Sequence, residues 1–253
     1  MMTEPATLAE PVAFEPPVPR PPTQDDLPYR DGIPMETQRH VLQMFLLIDS
    51  LALFWDERQD FFVGGNMFVY FSPEQVRTHS FRGPDVFVAQ GVPRRERKSW
   101  LVWEEGKGPD VVIELLSQST ASRDRSQKKE IYQDYLRVPE YFWFDPFSGK
   151  WAGFVLKGGA YEPLKPDDQD RLISQQLGLV LVRWEGSYQH IPARWLRWST
   201  LEGGILPTPQ EQAEAARKEA DAVQREAEAA RKEAEEMKAL LERYRERFGS
   251  LNG

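Results

Sequence analysis

The run Val111-Val112-Ile113-Glu114-Leu115-Leu116 constrains the fold of this chain more than any other segment. Aliphatic and β-branched side chains without polar alternation make a strand buried on both faces. Such a strand lies in the middle of a sheet with layers packed above and below it, which predicts an α/β architecture. Glu114 is the anomaly in the run. A carboxylate there costs several kcal/mol unless a metal, a cation or a shared proton compensates it.

Hydropathy spacing supplies the surrounding elements. A helix is predicted over 36–55, with Val41, Phe45, Ile48 and Ala52 on one face. Strands are predicted at 61–71, 85–89 and 111–116, a helix over 124–136, and a strand over 141–145 closed by Pro146-Phe147-Ser148-Gly149. A hairpin is expected from 151–156 and 161–164 across Lys157-Gly158-Gly159, with weaker strands near 179–184 and 188–191. Helix, three strands, helix and strand predict a mixed α/β domain with a central sheet flanked by helices.

Two segments differ in texture. Residues 1–29 are proline-rich and acidic (five acids, one arginine) and read as a disordered leader. Residues 207–253 hold eleven acids and nine bases and read as one long helix. In it, Ala216, Ala220, Val223, Ala227, Ala230, Ala234, Met237, Leu241, Tyr244 and Phe248 recur in steps of four and three, the seam of a left-handed coiled coil. The expected organisation is a leader (1–29), a folded domain (30–206) and a C-terminal coiled coil (207–253). A solvated helix rich in i,i+4 ion pairs is the alternative for the last segment.

Composition excludes several chemistries. Without cysteine there are no disulfides or thiolate zinc sites, and His40, His79 and His190 are too scattered for a histidine-based one. A bound metal is therefore expected to be hard and oxygen-ligated, magnesium or manganese. No stretch approaches twenty uncharged apolar residues and no basic-then-apolar leader is seen, so a cytoplasmic protein without a membrane partner is expected. The net charge of −8 is not that of a general nucleic-acid binder, although Arg94-Arg95-Glu96-Arg97-Lys98 and Arg123, Arg125, Lys128 and Lys129 form local basic groups. These read either as solvated charge or as a phosphate-tracking surface.

The acids carry the chemistry. Asp85 opens the strand Asp85-Val86-Phe87-Val88 and Glu114 lies in a strand expected beside it, so the two carboxylates can converge on one divalent ion. Asp110 is a competing acid, but in an extended strand it lies about 13 Å from Glu114, which ranks it as a strand-entry or supporting residue. Glu36 can add a carboxylate from the first helix or simply favour that helix's N-terminus. A lysine two positions after Glu114 is missing, since Leu116 stands there. The substitute comes from the following helix, where Lys128 and Tyr132 share a face; Lys129 is the other possibility. Ser117, Ser119 and Thr120 read as caps of that helix.

Taken together, Gly83-Pro84-Asp85-Val86-Phe87-Val88, Pro109-Asp110-Val111-Val112-Ile113-Glu114-Leu115-Leu116-Ser117, Asp124-Arg125 with Lys128 and Tyr132, and Val138-Pro139-Glu140-Tyr141-Phe142-Trp143-Phe144-Asp145 resemble the Uma-type restriction endonucleases, bacterial members of the PD-(D/E)XK nuclease superfamily. The resemblance covers about residues 30–195. It implies a restriction-endonuclease-like fold, metal-dependent cleavage of DNA and a homodimer, which the coiled coil could assemble further. Residue by residue it implies Asp85 as motif aspartate, Glu114 as motif acid, Lys128 as a helix-borne lysine and Glu36 as the first-helix acid. A nuclease-fold protein without catalysis, acting through its coiled coil as an assembly or partner-binding module, is the competing expectation.

Overall fold

The computed structural model describes residues 23, 37–72, 83–116 and 128–249. The leader apart from Thr23, together with Glu36, Ser117, Ser119, Thr120 and Asp124, lies outside them.

Helix α1 spans Gln38–Phe54 and is capped by Thr37, whose side chain accepts from the His40 N–H at 3.2 Å. Its inward face differs from the one the apolar spacing predicts. The buried residues are His40, Gln43, Met44, Leu46, Leu47, Ser50 and Leu51, whereas Phe45 is 46% exposed. Polar residues on the inward face cause the discrepancy. Gln43 donates to the Leu196 carbonyl at 2.8 Å and accepts from its N–H at 2.9 Å, and Ser50 donates to the Leu46 carbonyl at 2.6 Å. Each is satisfied by backbone, so the burial is affordable without an apolar side chain.

A six-stranded sheet forms the centre. Its strands are β1 (Phe61–Gly64), β3 (Val86–Gln90), β5 (Val111–Leu115), β6 (Glu140–Phe144), β7 (Trp151–Lys157) and β8 (Ala160–Leu164), side by side in that order. All neighbours are antiparallel except β5 and β6, which run parallel. The succession α1, β1, β3, β5, helical turn, β6 is the helix, three strands, helix and strand expected from the sequence. The 61–71 stretch is two strands rather than one. It breaks after Gly64, and β2 (Val69–Tyr70) pairs parallel with β4 (Trp100–Leu101), which leads into the one-turn helix α2 (Val102–Glu105).

The sheet has a core on each face. On one, Val86, Val88, Val111, Ile113, Leu115, Phe142 and Phe144 pack with Met44, Leu47 and Leu51 of α1. A second sheet closes this core: β9 (Leu172–Ser174), β10 (Leu179–Tyr188) and β11 (Ile191–Ser199), ordered β11-β10-β9. On the other face Phe87, Ala89, Val112 and Tyr141 pack with Trp100, Tyr132 and Val138. All five residues of β5 are buried, as expected of a strand covered on both sides.

The segment 188–191 is not a separate strand but the turn that joins the end of β10 to the start of β11. Tyr188 pairs with Ile191 across a tight turn in which Gln189 and His190 hold φ values of 49° and 62°, the two left-handed residues of a type I′ hairpin. The strand lies beyond it in β11, whose polar and apolar residues do not alternate cleanly.

The last element is α3, Pro209–Phe248, forty residues long with none buried. Its start is firmly seated. Thr208 and Glu211 form a capping box, and the buried Arg197 of β11 clasps Glu211 with two hydrogen bonds of 2.8 and 2.5 Å.

Candidate active site

Strand pleating selects the face on which the site forms. Along β5, residues 111, 113 and 115 point to the α1 core, so Val112 and Glu114 point to the opposite side. In β3, Val86 and Val88 face α1 while Phe87 and Ala89 face away, which sets Asp85 on the same side as Glu114. Val86 pairs with Ile113, so one further step along the antiparallel ladder brings Asp85 beside Glu114. The Asp85 Oδ2 accepts from the Leu115 N–H at 2.7 Å, which fixes its carboxyl against the end of β5.

Glu114 is 2% exposed. Its Oε2 accepts from Lys128 Nζ at 2.9 Å and its Oε1 from the Tyr132 hydroxyl at 2.5 Å. Lys128 and Tyr132 therefore reach one carboxylate from successive turns, as their shared face predicts. Lys129 points elsewhere, with its Nζ 3.7 Å from the centre of the Phe154 ring. The widened π-helical turn Ile131–Tyr135 carries Tyr132, and the Leu136 N–H bonds the Ile131 carbonyl at 3.0 Å. Further bonds hold this turn in place: Gln133 accepts from the Tyr161 N–H at 2.7 Å, and the Tyr161 hydroxyl donates to the Val138 carbonyl at 2.9 Å.

The electrostatics are those of an overcrowded acid pair. Burial pushes the Asp85 carboxyl well above the usual carboxylate range, and the Glu114 charge pushes it further, against the pull of Lys128 and the Leu115 N–H. Tyr132 is wholly buried beside Glu114, and both effects push its hydroxyl upward, so it remains a protonated donor.

Two acids sharing a buried pocket with a lysine fit a hard divalent cation, because such an ion would relieve the repulsion that raises Asp85. The donor set is small, however. Among the described residues, no group of three or more His, Asp or Glu side chains is arranged to hold a metal ion. Glu36, the expected additional acid, lies outside the described residues. Asp110 is not part of the pair. It accepts from the Gln90 N–H at 2.7 Å and from Lys107 Nζ at 2.7 and 2.8 Å, pinning the start of β5 to the end of β3.

Two positions with structural roles at the site, and a third on the opposite face of the sheet, escaped the sequence reading. Gly65 is one: a Cβ there would lie 1.8 Å from the Asp85 carbonyl oxygen, and the neighbouring Asn66 N–H donates to the Pro84 carbonyl at 2.9 Å. The signal was Gly64-Gly65-Asn66 interrupting an apolar run. His40 Nε2 lies 2.9 Å from the Leu115 carbonyl, tying α1 to the strand residue after Glu114. Glu140 is fully buried at the start of β6, where it accepts from the Ser174 hydroxyl and from the N–H groups of Gln175 and Gln176. Nothing in its local sequence separates it from a surface acid.

The basic group 94–98 is largely consumed within the fold. Arg97 is buried and forks onto Glu105 at 2.7 and 2.8 Å, Arg95 shares that carboxylate at 2.8 Å, and Arg94 pairs with Asp56 at 3.4 Å. Of the second group, Arg123 and Arg125 lie outside the described residues. No helix among the described residues is long and apolar enough to cross a membrane.

No curated protein matches the chain. Among solved structures, it is similar to a protein from Anabaena variabilis ATCC 29413 described as "a putative nuclease belonging to DUF820", at 17% identity and a TM-score of 0.41, covering 59% of this chain and 88% of that one. The family model Uma2, described as "Putative restriction endonuclease", matches residues 20–184, a span that contains Asp85, Glu114, Lys128 and Tyr132. With most of its length matched, the chain belongs to the Uma2 family.

Proposed function

We propose that this protein is a metal-dependent endonuclease that hydrolyses DNA phosphodiester bonds at the Asp85–Glu114–Lys128 centre. One observation carries the reading: two carboxylates from adjacent strands meet on one face of the sheet, and a lysine from a separate element reaches the more buried of them. Asp85 and Glu114 are the residues that would hold magnesium or manganese. Bound there, the ion would supply Lewis-acid stabilisation of the phosphoryl charge and of the leaving oxygen. Lys128 holds a proton-rich ammonium at the pocket, suited to orienting the attacking water or offsetting charge on the phosphoryl group. Tyr132 donates to Glu114 and thereby fixes the carboxylate's orientation.

The test is nicking of supercoiled plasmid with magnesium or manganese, comparing wild type with Asp85→Asn and Glu114→Gln. Metal-dependent nicking that both variants lose supports the reading. A folded wild type that neither nicks nor gains thermal stability with either metal would sink it.

A second reading has its own support. The local pairing of Arg94, Arg95 and Arg97 leaves little of that basic group for phosphate, and α3 offers a long exposed surface. A nuclease-fold protein that binds partners without cutting fits those features. A folded wild type that neither cuts nor binds plasmid with either metal would favour it.

A further inference from the structure

We infer that α3 is the dimerisation element of this protein, and that it pairs with α3 of a second copy as a parallel, in-register two-stranded coiled coil. The seam residues Val223, Met237, Leu241, Tyr244 and Phe248 are 54–66% exposed, and no residue of the helix is buried against its own domain. An apolar stripe of that length on a forty-residue helix is unsatisfied in a single copy.

The flanking charges identify the occupant. With Ala216 at position d and Ala220 at a, the g positions that precede each a residue are Glu219, Glu226, Glu233, Leu240 and Arg247. The e positions that follow each d residue are Arg217, Gln224, Arg231, Lys238 and Arg245. One flank of the seam is therefore acidic over three heptads, and the other is basic except at Gln224. In a parallel pair each g residue faces the e residue five positions later on its partner, because of the way the two flanks interlock. Glu226 then meets Arg231, and Glu233 meets Lys238, in both directions. In a fully overlapped antiparallel pair g faces g and e faces e, which sets Glu233 against Glu233, Arg231 against Arg231 and Arg217 against Arg245, with Glu219 opposite Arg247 as the attractive contact. Opposite charges therefore meet without like-charge contacts when two copies run the same way, which selects this chain as its own partner.

Seating the helix makes that orientation consequential. The Arg197–Glu211 clasp and the Thr208 capping box fasten the start of α3 to the folded domain. A parallel pair therefore holds both domains at the same end of the coil. This inference does not depend on the chemistry at Glu114.

The full-length chain is tested by sedimentation equilibrium. Wild type is expected at the mass of two copies. Glu226→Lys with Glu233→Lys is expected at one-copy mass, as is Arg231→Glu with Lys238→Glu, while an equimolar mixture of the two variants regains the two-copy mass. That rescue separates lost pairing from lost folding. The chain has no cysteine, so Tyr244→Cys introduces a lone thiol at a d position, which mild oxidation should link into a covalent dimer. A one-copy wild type, two-copy mass in both charge-reversed variants, or a dimer whose Tyr244→Cys form does not cross-link would each overturn the inference.

Discussion

Lys128 Nζ stands 2.9 Å from Glu114 Oε2, fourteen residues along the chain and in a different structural element. The strand supplies the acid, the helical turn supplies the base, and only the packing of one on the other makes them a pair. Four consequences of this arrangement and its supports are open to measurement.

Glu114→Gln removes a buried charge while leaving a side chain that can still bond Tyr132 and Lys128. It also relieves the repulsion that raises Asp85. Plasmid nicking should fall by at least about 100-fold, while the melting temperature stays level or rises, because removing this charge relieves its repulsion with the buried Asp85 carboxyl and the cost of desolvating it. A marked loss of thermal stability would show instead that Glu114 is a structural ion-pair residue.

Tyr132→Phe deletes the hydroxyl that donates to Glu114 Oε1 and keeps the ring against Tyr141. Loss of that donor should lower unfolding free energy by about 1–2 kcal/mol and slow nicking by roughly 10–100-fold. Urea titration and initial nicking rates measure the two effects. Unchanged rates would remove Tyr132 from any role in orienting Glu114.

Gly65→Ala places a methyl 1.8 Å from the Asp85 carbonyl oxygen, so the backbone at Asp85 must move. Overpacking of this kind costs about 1–3 kcal/mol. The shift should also loosen the bond between Asp85 and the Leu115 N–H. Nicking is expected to fall more steeply than in Gly91→Ala, where φ is +71° but an added Cβ meets nothing within 4 Å. Equal activity in the two variants would contradict a positioning role for Gly65.

Burial raises the Glu140 carboxyl above its ordinary value despite the donors around it, Ser174 and the Gln175 and Gln176 N–H groups. A folded-state value above the unfolded one means that the folded protein holds the proton more tightly. Glu140's contribution is thus greatest below the ordinary carboxylate value, declines as pH rises toward the raised one, and is level above that. Glu140→Gln, which loses acceptors for those donors, should cost about 1–3 kcal/mol. Its deficit relative to wild type should be widest on the acid side and narrow as pH rises. Denaturant titrations at several pH values would refute this if the deficit grew with pH.

Much of the site was legible before the fold was known, and for local reasons. Period-two and uninterrupted apolar runs located β3, β5 and β6, and a charge inside such a run singled out Glu114. Spacing along one strand was enough to demote Asp110, which the structure ties to Lys107 and Gln90. Helical spacing paired Lys128 with Tyr132. The inward face of α1 was not legible, because His40 and Gln43 look solvent-bound until the strand backbones that receive them are in place, while Ser50 is satisfied by the Leu46 carbonyl of its own helix.

By itself the sequence determined α1, β3, β5, β6, the β7–β8 hairpin and α3, the burial of β5, the acid within it and the heptad pattern of α3, since each follows from the periodicity of a short stretch. The tertiary structure alone decided which lysine meets Glu114. Lys128 and Lys129 are adjacent, yet a turn of about 100° between neighbouring helical residues sends one to the carboxylate and the other to the Phe154 ring. It likewise decided that Gly65 must be a glycine and that Arg97 serves Glu105. Those outcomes depend on distances between segments far apart in the chain, which no local pattern encodes.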